Sequence, residues 1–358
     1  MGFRSSISKP ALAVTLAVQP NLLTMLSSKI IPTFLTFLVL ILFSTIFYGC
    51  PNAKDAPPVE IPTSKPTSNI TNDTIPLFDG QAAYSLVEKQ LNFGARVPGS
   101  KAHTLCRDFL LSELRQLTDT AFLQSFTSEI YGKQIRFSNI IGSYNPKSVK
   151  RILLCAHWDS RPRSDQSTNP SDTASPCPAA NDGASGVAVL LEIAHKLREK
   201  TPTLGIDIVL FDGEDYGYEH DLSNYFIGSR HFAGNLPFSK PMSAVLLDLV
   251  GDKDAEFRFE PSSYNSNPTA INKIWDIAAR RGCGYFKAEQ GNGVSDDHDM
   301  LIQASIPSID IIDVNLVGHV DKNPRRKYWH TIHDTIENIS PETLQCVGQC
   351  VLEYVYTF

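Results

Sequence analysis

A chain of 358 residues, 42% hydrophobic and 20% charged, has globular composition and is long enough for one catalytic core of about 280 residues plus appendages. A net charge of −6, without a long Lys/Arg block or a basic patch interleaved with aromatics, excludes nucleic acid as the main partner.

Residues 30–49 read IIPTFLTFLVLILFSTIFYG, with Lys29 before them, no charge among them and Cys50 after them. This pattern predicts an export signal, starting either at Met1 or at Met25, whose Met-Leu-Ser-Ser-Lys makes a short positive lead-in. Cys50 after Gly49 resembles the cleavage site of a bacterial lipoprotein, although Phe47 stands where that signal usually has Leu. Uncut, the same stretch makes a single transmembrane anchor. Either outcome puts the body outside the cytoplasm, as a periplasmic or outer-membrane lipoprotein or as a membrane-anchored protein. Residues 51–77 are rich in Pro, Ser, Thr and Asn; they cannot bury a core and predict a disordered tether. Residues 78–358 are left as a single catalytic domain.

The domain opens with helical spacing over 82–92 and 103–117, joined by the turn Phe-Gly-Ala-Arg-Val-Pro-Gly-Ser at 93–100. Residues 135–144, 151–157, 206–212, 242–250 and 308–313 read as strands, and 186–200, 270–281 and 341–354 as helices. Strands separated by helical patterns predict an α/β fold: a mixed, mostly parallel central β-sheet flanked by helices. Residues 315–327 are polar and irregular, and a loop of that length near a site is often functional. After Cys50 come Cys106, Cys155, Cys177, Cys283, Cys346 and Cys350. With no CxxC or Cys/His finger spacing, a structural zinc knuckle is excluded and disulfides are permitted, with connectivity open. Cys346 and Cys350 read as packing residues rather than partners of each other.

Several predicted strand ends carry acids or imidazoles. The run Ile208-Val-Leu-Phe211 stops in Asp212-Gly213-Glu214-Asp215, as if a buried strand delivered carboxylates to the sheet edge where α/β folds bind ligands. Two neighbours on a turning backbone point different ways, so one suits a metal and the other a proton. His157 and Asp159 lie on one side of an extended run. Asp182, in Asn181-Asp-Gly-Ala-Ser-Gly186, has the position of a helix cap. Asp248 sits in Leu246-Leu-Asp-Leu-Val250, where a buried acid needs a partner or a metal. Asp296-Asp297-His298 starts a helix, and Trp329-His330-Thr331 follows the long loop. Each has a structural explanation when taken singly. Together they supply hard oxygen and imidazole ligands without thiolates, a set suited to zinc in open catalytic coordination. His298 and His333 read as residues that orient carboxylates or satisfy backbone groups, rather than as metal ligands. Ser229 and its neighbours 228–231 read as structural, and Asn181 as shaping its loop.

At these residues the sequence resembles the M28 superfamily of zinc aminopeptidases, and within it the glutaminyl cyclases. The ordered motifs HxD, NDGASG, GED, LLDLVG, DDH and WHT carry the likeness. It implies that Asp182, Asp215 and His330 hold zinc, and that Glu214 is the acid/base. It further implies that Asp248 shares the proton cluster with Glu214, that Asp296 does so too and holds the leaving amide, and that Trp329 walls the substrate pocket. His157 and Asp248 stand where two-zinc aminopeptidases hold a second ion, and Asp159 and His298 are further candidates for that ion or for bracing the site. Three features favour the cyclases: the 93–100 turn with Ala102-His103, the double acid before His298, and Trp329 directly before His330. Departures are Asp215, where many members have Glu, the absence of a tryptophan over 218–226, and the cysteines. Cys155 is one residue from the place of an animal-cyclase cysteine, and a Cys155–Cys177 bridge is open. The implied reaction is one-zinc cyclisation of an N-terminal Gln on peptides or proteins to pyroglutamate with release of ammonia. The rivals are a two-zinc aminopeptidase and a catalytically dead hydrolase used for binding.

Overall fold

The computed structural model describes residues 75–318 and 327–358. The expected leader, almost all of the expected tether and residues 319–326 of the 315–327 loop lie outside them. No described helix is long and apolar enough to cross a membrane.

The chain runs α1 (Gly80–Leu91), α2 (Lys101–Leu117), β1 (Thr120–Ile130), β2 (Lys133–Tyr144), β3 (Arg151–His157), α3 (Ala184–Glu199), β4 (Gly205–Phe211) and α4 (Ile227–Gly234). It continues with β5 (Ser243–Asp248), β6 (Phe257–Phe259), α5 (Pro261–Ser266), α6 (Pro268–Arg281), β7 (Phe286–Gln290), α7 (Asp297–Gln303), β8 (Ser308–Ile312) and α8 (Pro341–Thr357). Caps fix the helix ends. The Ser100 side chain accepts from His103 N at the start of α2. Asn267 accepts from Ala270 N ahead of Pro268 in α6, which stops at the left-handed Gly282.

The main sheet has the order β1-β2-β4-β3-β5-β8. β4, β3, β5 and β8 are parallel, and the antiparallel hairpin β1–β2 closes one edge on β4. The expected mixed, mostly parallel sheet is present, with one strand that the sequence pattern did not predict. β1 is an edge strand with nearly every residue exposed or half-buried, so its apolar alternation is weak. Its turn to β2 is Tyr131-Gly132, both at positive φ, the twist that two-residue hairpins prefer. The short pair β6–β7 and α5 were likewise not predicted.

Alternate residues of the central strands divide between two cores. Ile152, Leu154, Ala156, Ile208, Leu210, Val245 and Leu247 face α1, α2, α3, α6 and α8. Leu153, Cys155, Val209, Phe211 and Leu246 face α4 and α7, through Phe232 and Leu301. Each fully buried Val, Leu, Ile or Phe among them contributes about 1.5–3 kcal/mol. α8 returns to the start of the domain, where Gln349 Oε1 accepts from Phe78 N at 2.9 Å and Gln345 Oε1 from Gly80 N at 2.8 Å. Cys346 of α8 is bonded to Cys283, while Cys155, Cys177 and Cys350 are free and buried. The bridge left open between Cys155 and Cys177 is therefore not formed: Cys155 is in mid-strand under Val245 O, and Cys177 contacts Ser164.

Candidate active site

In the sheet β3 lies between β4 and β5, although in sequence β4 and β5 both follow it. The chain thus winds first to one side of β3 and then to the other, which opens a crevice beyond the carboxyl ends of these strands. β3 ends in His157, β4 runs out into Asp212-Gly213-Glu214-Asp215, and β5 ends in Asp248. Sharp turns throw these residues into the crevice. Gly213 (φ 72), Gly183 (φ 100), Leu249 (φ 50) and His330 (φ 54) are all left-handed, and each is, or adjoins, one of the acids or imidazoles. At Gly183 a Cβ would stand 2.8 Å from His157 Cε1, so glycine lets the Asp182 loop close on the imidazole.

Asp182 is the hub. Its Oδ1 is 3.1 Å from His157 Nε2, and its Oδ2 is 3.3 Å from His330 Nε2. The same His330 nitrogen is 3.3 Å from Asp215 Oδ2. The cap reading of Asp182 does not hold, because the residue at the cap of α3 is Gly183 and no side chain bonds there. Asp182, Asp215 and His330, all buried, offer ligand atoms within 4.8 Å of one another, as do His157, Asp182 and Asp248. Asp215 Oδ2 has no hydrogen-bond partner although it is buried. Two carboxylates and an imidazole, with a buried oxygen lacking a partner, fit a tetrahedral zinc ion with one open position.

The residues around this hub fix its shape. Asp159 spans the Glu214 turn, accepting from Glu214 N at 3.0 Å and Asp215 N at 3.4 Å. Asp334 accepts from Asn181 N at 2.9 Å and Asp182 N at 3.0 Å, which ties the stretch after His330 to the Asp182 loop. Asn181 donates to Tyr328 Oη and accepts from Gly251 N, so it joins three loops. Arg161, almost wholly buried, donates to Asp215 Oδ1 at 2.5 Å and holds Asp165 with its other edge.

Glu214, Asp248, Asp296, Trp329 and the metal-ligand candidates line one cavity of about 390 Å³, whose mouth carries Glu219, His220 and Leu222. Burial, then the charge of Asp215, raises the Glu214 carboxyl well above its ordinary 4.5, with His157 opposing. Burial and Asp248 push Asp296 up to about 7. Burial works against a charged His157, but Asp159, Asp182 and Asp248 outweigh it and raise the imidazole well above 6.5. The Trp329 ring stacks on His330, with centroids 3.5 Å apart.

The model of peptidase family M28 matches residues 139–355. The chain belongs to that family. Among solved structures, this M28 protein is similar to Tannerella forsythia glutaminyl cyclase, at 38% identity over 79% of this chain and 100% of the other, with a TM-score of 0.74. A leucine aminopeptidase precursor from Bacteroides thetaiotaomicron is as similar, at 38% identity over 79% of this chain and 99% of that one, with a TM-score of 0.75. The Bos taurus glutaminyl-peptide cyclotransferase is 25% identical over 73% of this chain and 79% of its own.

The remaining sequence-predicted residues fall further out. His298 does not join His157; it is buried against Glu260, with Nε2 3.2 Å from Oε2, and lies 3.6 Å from Asp310. Asp296, His298 and Asp310 form a group of their own. His333 is exposed, and the neighbour that braces the site is Asp334. Ser229 donates to Asp297, which agrees with its structural reading. Sequence reasoning missed Arg161, Asp334 and Asp310. Arg161 stands two residues after the HxD stretch and Asp334 ends the run begun by Trp329, so both lay within reach of the motifs.

Proposed function

We propose that this M28 chain is a zinc-dependent glutaminyl cyclase, which converts the N-terminal Gln of peptides or proteins to pyroglutamate and releases ammonia. The observation that carries the reading is the convergence of Glu214, Asp248 and Asp296 on one small cavity beside the Asp182, Asp215 and His330 donors, with Trp329 as a wall. Its likeness to glutaminyl cyclases over nearly the whole domain supports it.

Asp182, Asp215 and His330 would hold zinc, which supplies Lewis-acid polarisation of the Gln side-chain carbonyl. Glu214 takes the proton from the α-amine as that nitrogen bonds to the side-chain carbon, and returns it to the amide nitrogen as the C–N bond breaks. The base needs an elevated proton affinity, and burial beside Asp215 supplies it. Asp296, with Oδ2 buried and lacking a partner, is suited to receive an N–H of the leaving amide. His157, with one nitrogen 3.1 Å from Asp182 and 3.2 Å from Asp248, puts a proton between two carboxylates where a second cation would otherwise sit. Trp329 covers the methylenes of the Gln and keeps bulk water from competing with the amine.

A two-zinc aminopeptidase is the second reading, favoured by the His157, Asp182 and Asp248 group and by the leucine aminopeptidase likeness. Ammonia release from a Gln-initiated dipeptide, hydrolysis of an amino-acid anilide, and zinc counted per chain separate the two. Ammonia with one zinc supports the cyclase; free amino acid with two zinc ions overturns it. For placement, the 30–49 stretch with Cys50 and the Cys283–Cys346 bond support an exported, membrane-tethered protein in an oxidising compartment. Retention of a reporter fused after residue 50 in the soluble cytoplasmic fraction would count against that.

A further inference from the structure

Asp215 carries one methylene less than a glutamate, and like any carboxylate it has two oxygens able to ligate a metal. A carboxylate that binds through both would fill the coordination place a substrate carbonyl needs. The surroundings of Asp215 prevent this. Arg161 is 1% exposed, and its Nη1 donates to Asp215 Oδ1 at 2.5 Å and to Asp215 O at 3.3 Å. The guanidinium cannot swing away, because Nε and Nη2 form a fork on Asp165 at 2.7 and 2.6 Å, and the ring of Tyr225 lies 5.5 Å from its carbon. The Asp215 backbone N–H points to Asp159, 3.4 Å away. Oδ2 alone is left without a partner, 3.3 Å from His330 Nε2.

We propose that Arg161 is a positioning residue that holds Asp215 to single-oxygen ligation, through Oδ2, and so keeps one coordination place open for substrate. The inference rests on the reading of Asp182, Asp215 and His330 as metal ligands. Its second effect is electrostatic: the buried guanidinium draws on the charge of Asp215, so the carboxylate gives less of it to the metal. A lysine would keep the charge but lose the fork, since its ammonium cannot grip Asp165 and Asp215 along one plane.

The test replaces zinc with cobalt(II), whose visible absorption is strong in four-coordinate sites and weaker in five-coordinate ones. Wild type, Arg161→Met, Arg161→Lys and His330→Gln are each loaded with cobalt, and turnover is measured on the zinc forms. In Arg161→Met, Asp215 is free to bind through both oxygens. The cobalt band is then expected to lose intensity and shift, with turnover roughly 10- to 100-fold lower. Arg161→Lys is expected to fall between this and wild type. If Arg161→Met does not fold, Asp165→Asn, which removes only the outer anchor of the guanidinium, is expected to move the band in the same direction. A wild-type band and wild-type turnover in Arg161→Met, or wild-type bands in both Arg161→Lys and Asp165→Asn, overturn the proposal. If His330→Gln binds cobalt with an unchanged band, the metal-ligand reading itself fails, which is a separate result.

Discussion

Replacing Glu214 by Gln isolates the proton transfer. The substitution is nearly isosteric, and the turn that carries it is held through its backbone N–H groups on Asp159, so the side chain stays in place. The change also removes one negative charge from a crowded group: Asp215, Asp296 and Asp297 all raise the proton affinity of Glu214. The folded protein is therefore expected to be as stable as wild type or slightly more so. What is lost is the acceptor for the amine proton. General acid–base catalysis by a positioned side chain contributes about 10²–10⁴-fold, or about 2.7–5.4 kcal/mol of barrier at 1.36 kcal/mol per tenfold. The assay is ammonia release from a Gln-initiated dipeptide at saturating substrate, with zinc counted by atomic absorption on the same preparation. Turnover should fall by at least two orders of magnitude with zinc content unchanged. Turnover within tenfold of wild type would refute the role of Glu214. Loss of zinc from Glu214→Gln alongside retention in Asp215→Asn would mean that the two neighbours have exchanged tasks.

Trp329→Ala should raise KM more than it lowers kcat, with Trp329→Phe recovering much of the loss; equal KM values across the three proteins would remove Trp329 from the pocket wall. Serine at both Cys283 and Cys346, which are separated by 63 residues, should cost about 4 kcal/mol of unfolding free energy in the chain-entropy account, measured by urea titration under non-reducing conditions. The Glu260–His298 pair gives a pH signature. Burial opposes both charges, yet His298 and the N–H groups of Ser262 and Ser263 bring Glu260 down from 4.5 to about 2, and Glu260 and Asp296 raise His298 above 6.5. The depressed acid stabilises the fold above pH 4.5 and loses this as pH falls toward 2. The raised imidazole stabilises below pH 6.5 and loses this as pH rises through its higher folded value. The stability gap between wild type and His298→Gln should therefore be widest between pH 4.5 and 6.5 and narrow on both sides; a gap flat from pH 3 to 8 contradicts the pairing.

The parts of the fold and site legible in the sequence are those written locally. The central strands are buried on both faces, so 152–156 and 208–211 read as apolar runs, and the boundaries of the two strands move by no more than one residue in the structure. Acids at strand ends announce themselves because a carboxylate beside such a run needs a partner or a metal; Asp207, inside β4, has Arg151 and Ser143. β1 stayed hidden because an exposed edge strand needs little apolar content, and β6, β7 and α5 because they are short. The bracing of the site is tertiary: Arg161 and Asp334 lie beside the motifs, but the residues they hold do not lie beside them. Arg161 reaches Asp215 across 54 positions and Asp334 reaches Asp182 across 152, and spacing says nothing about such pairings. His333 illustrates the converse: next to Asp334 in sequence, it faces solvent, since a turn sends neighbours in opposite directions.

The dependence of Asp182 on Asp334 and His330 has a consequence for biosynthesis. At 5–20 residues per second, a chain of 358 residues takes about 20–70 s to make. His157, Asp182, Glu214 and Asp248 emerge long before the residues that complete their geometry. α8, which closes on Phe78 and Gly80, is made last of all. The chain made before residue 330 therefore lacks both His330 and Asp334, the two later residues that Asp182 meets. A fragment ending ahead of residue 330 is expected to lack both metal binding and turnover, since it lacks one of the three proposed ligands.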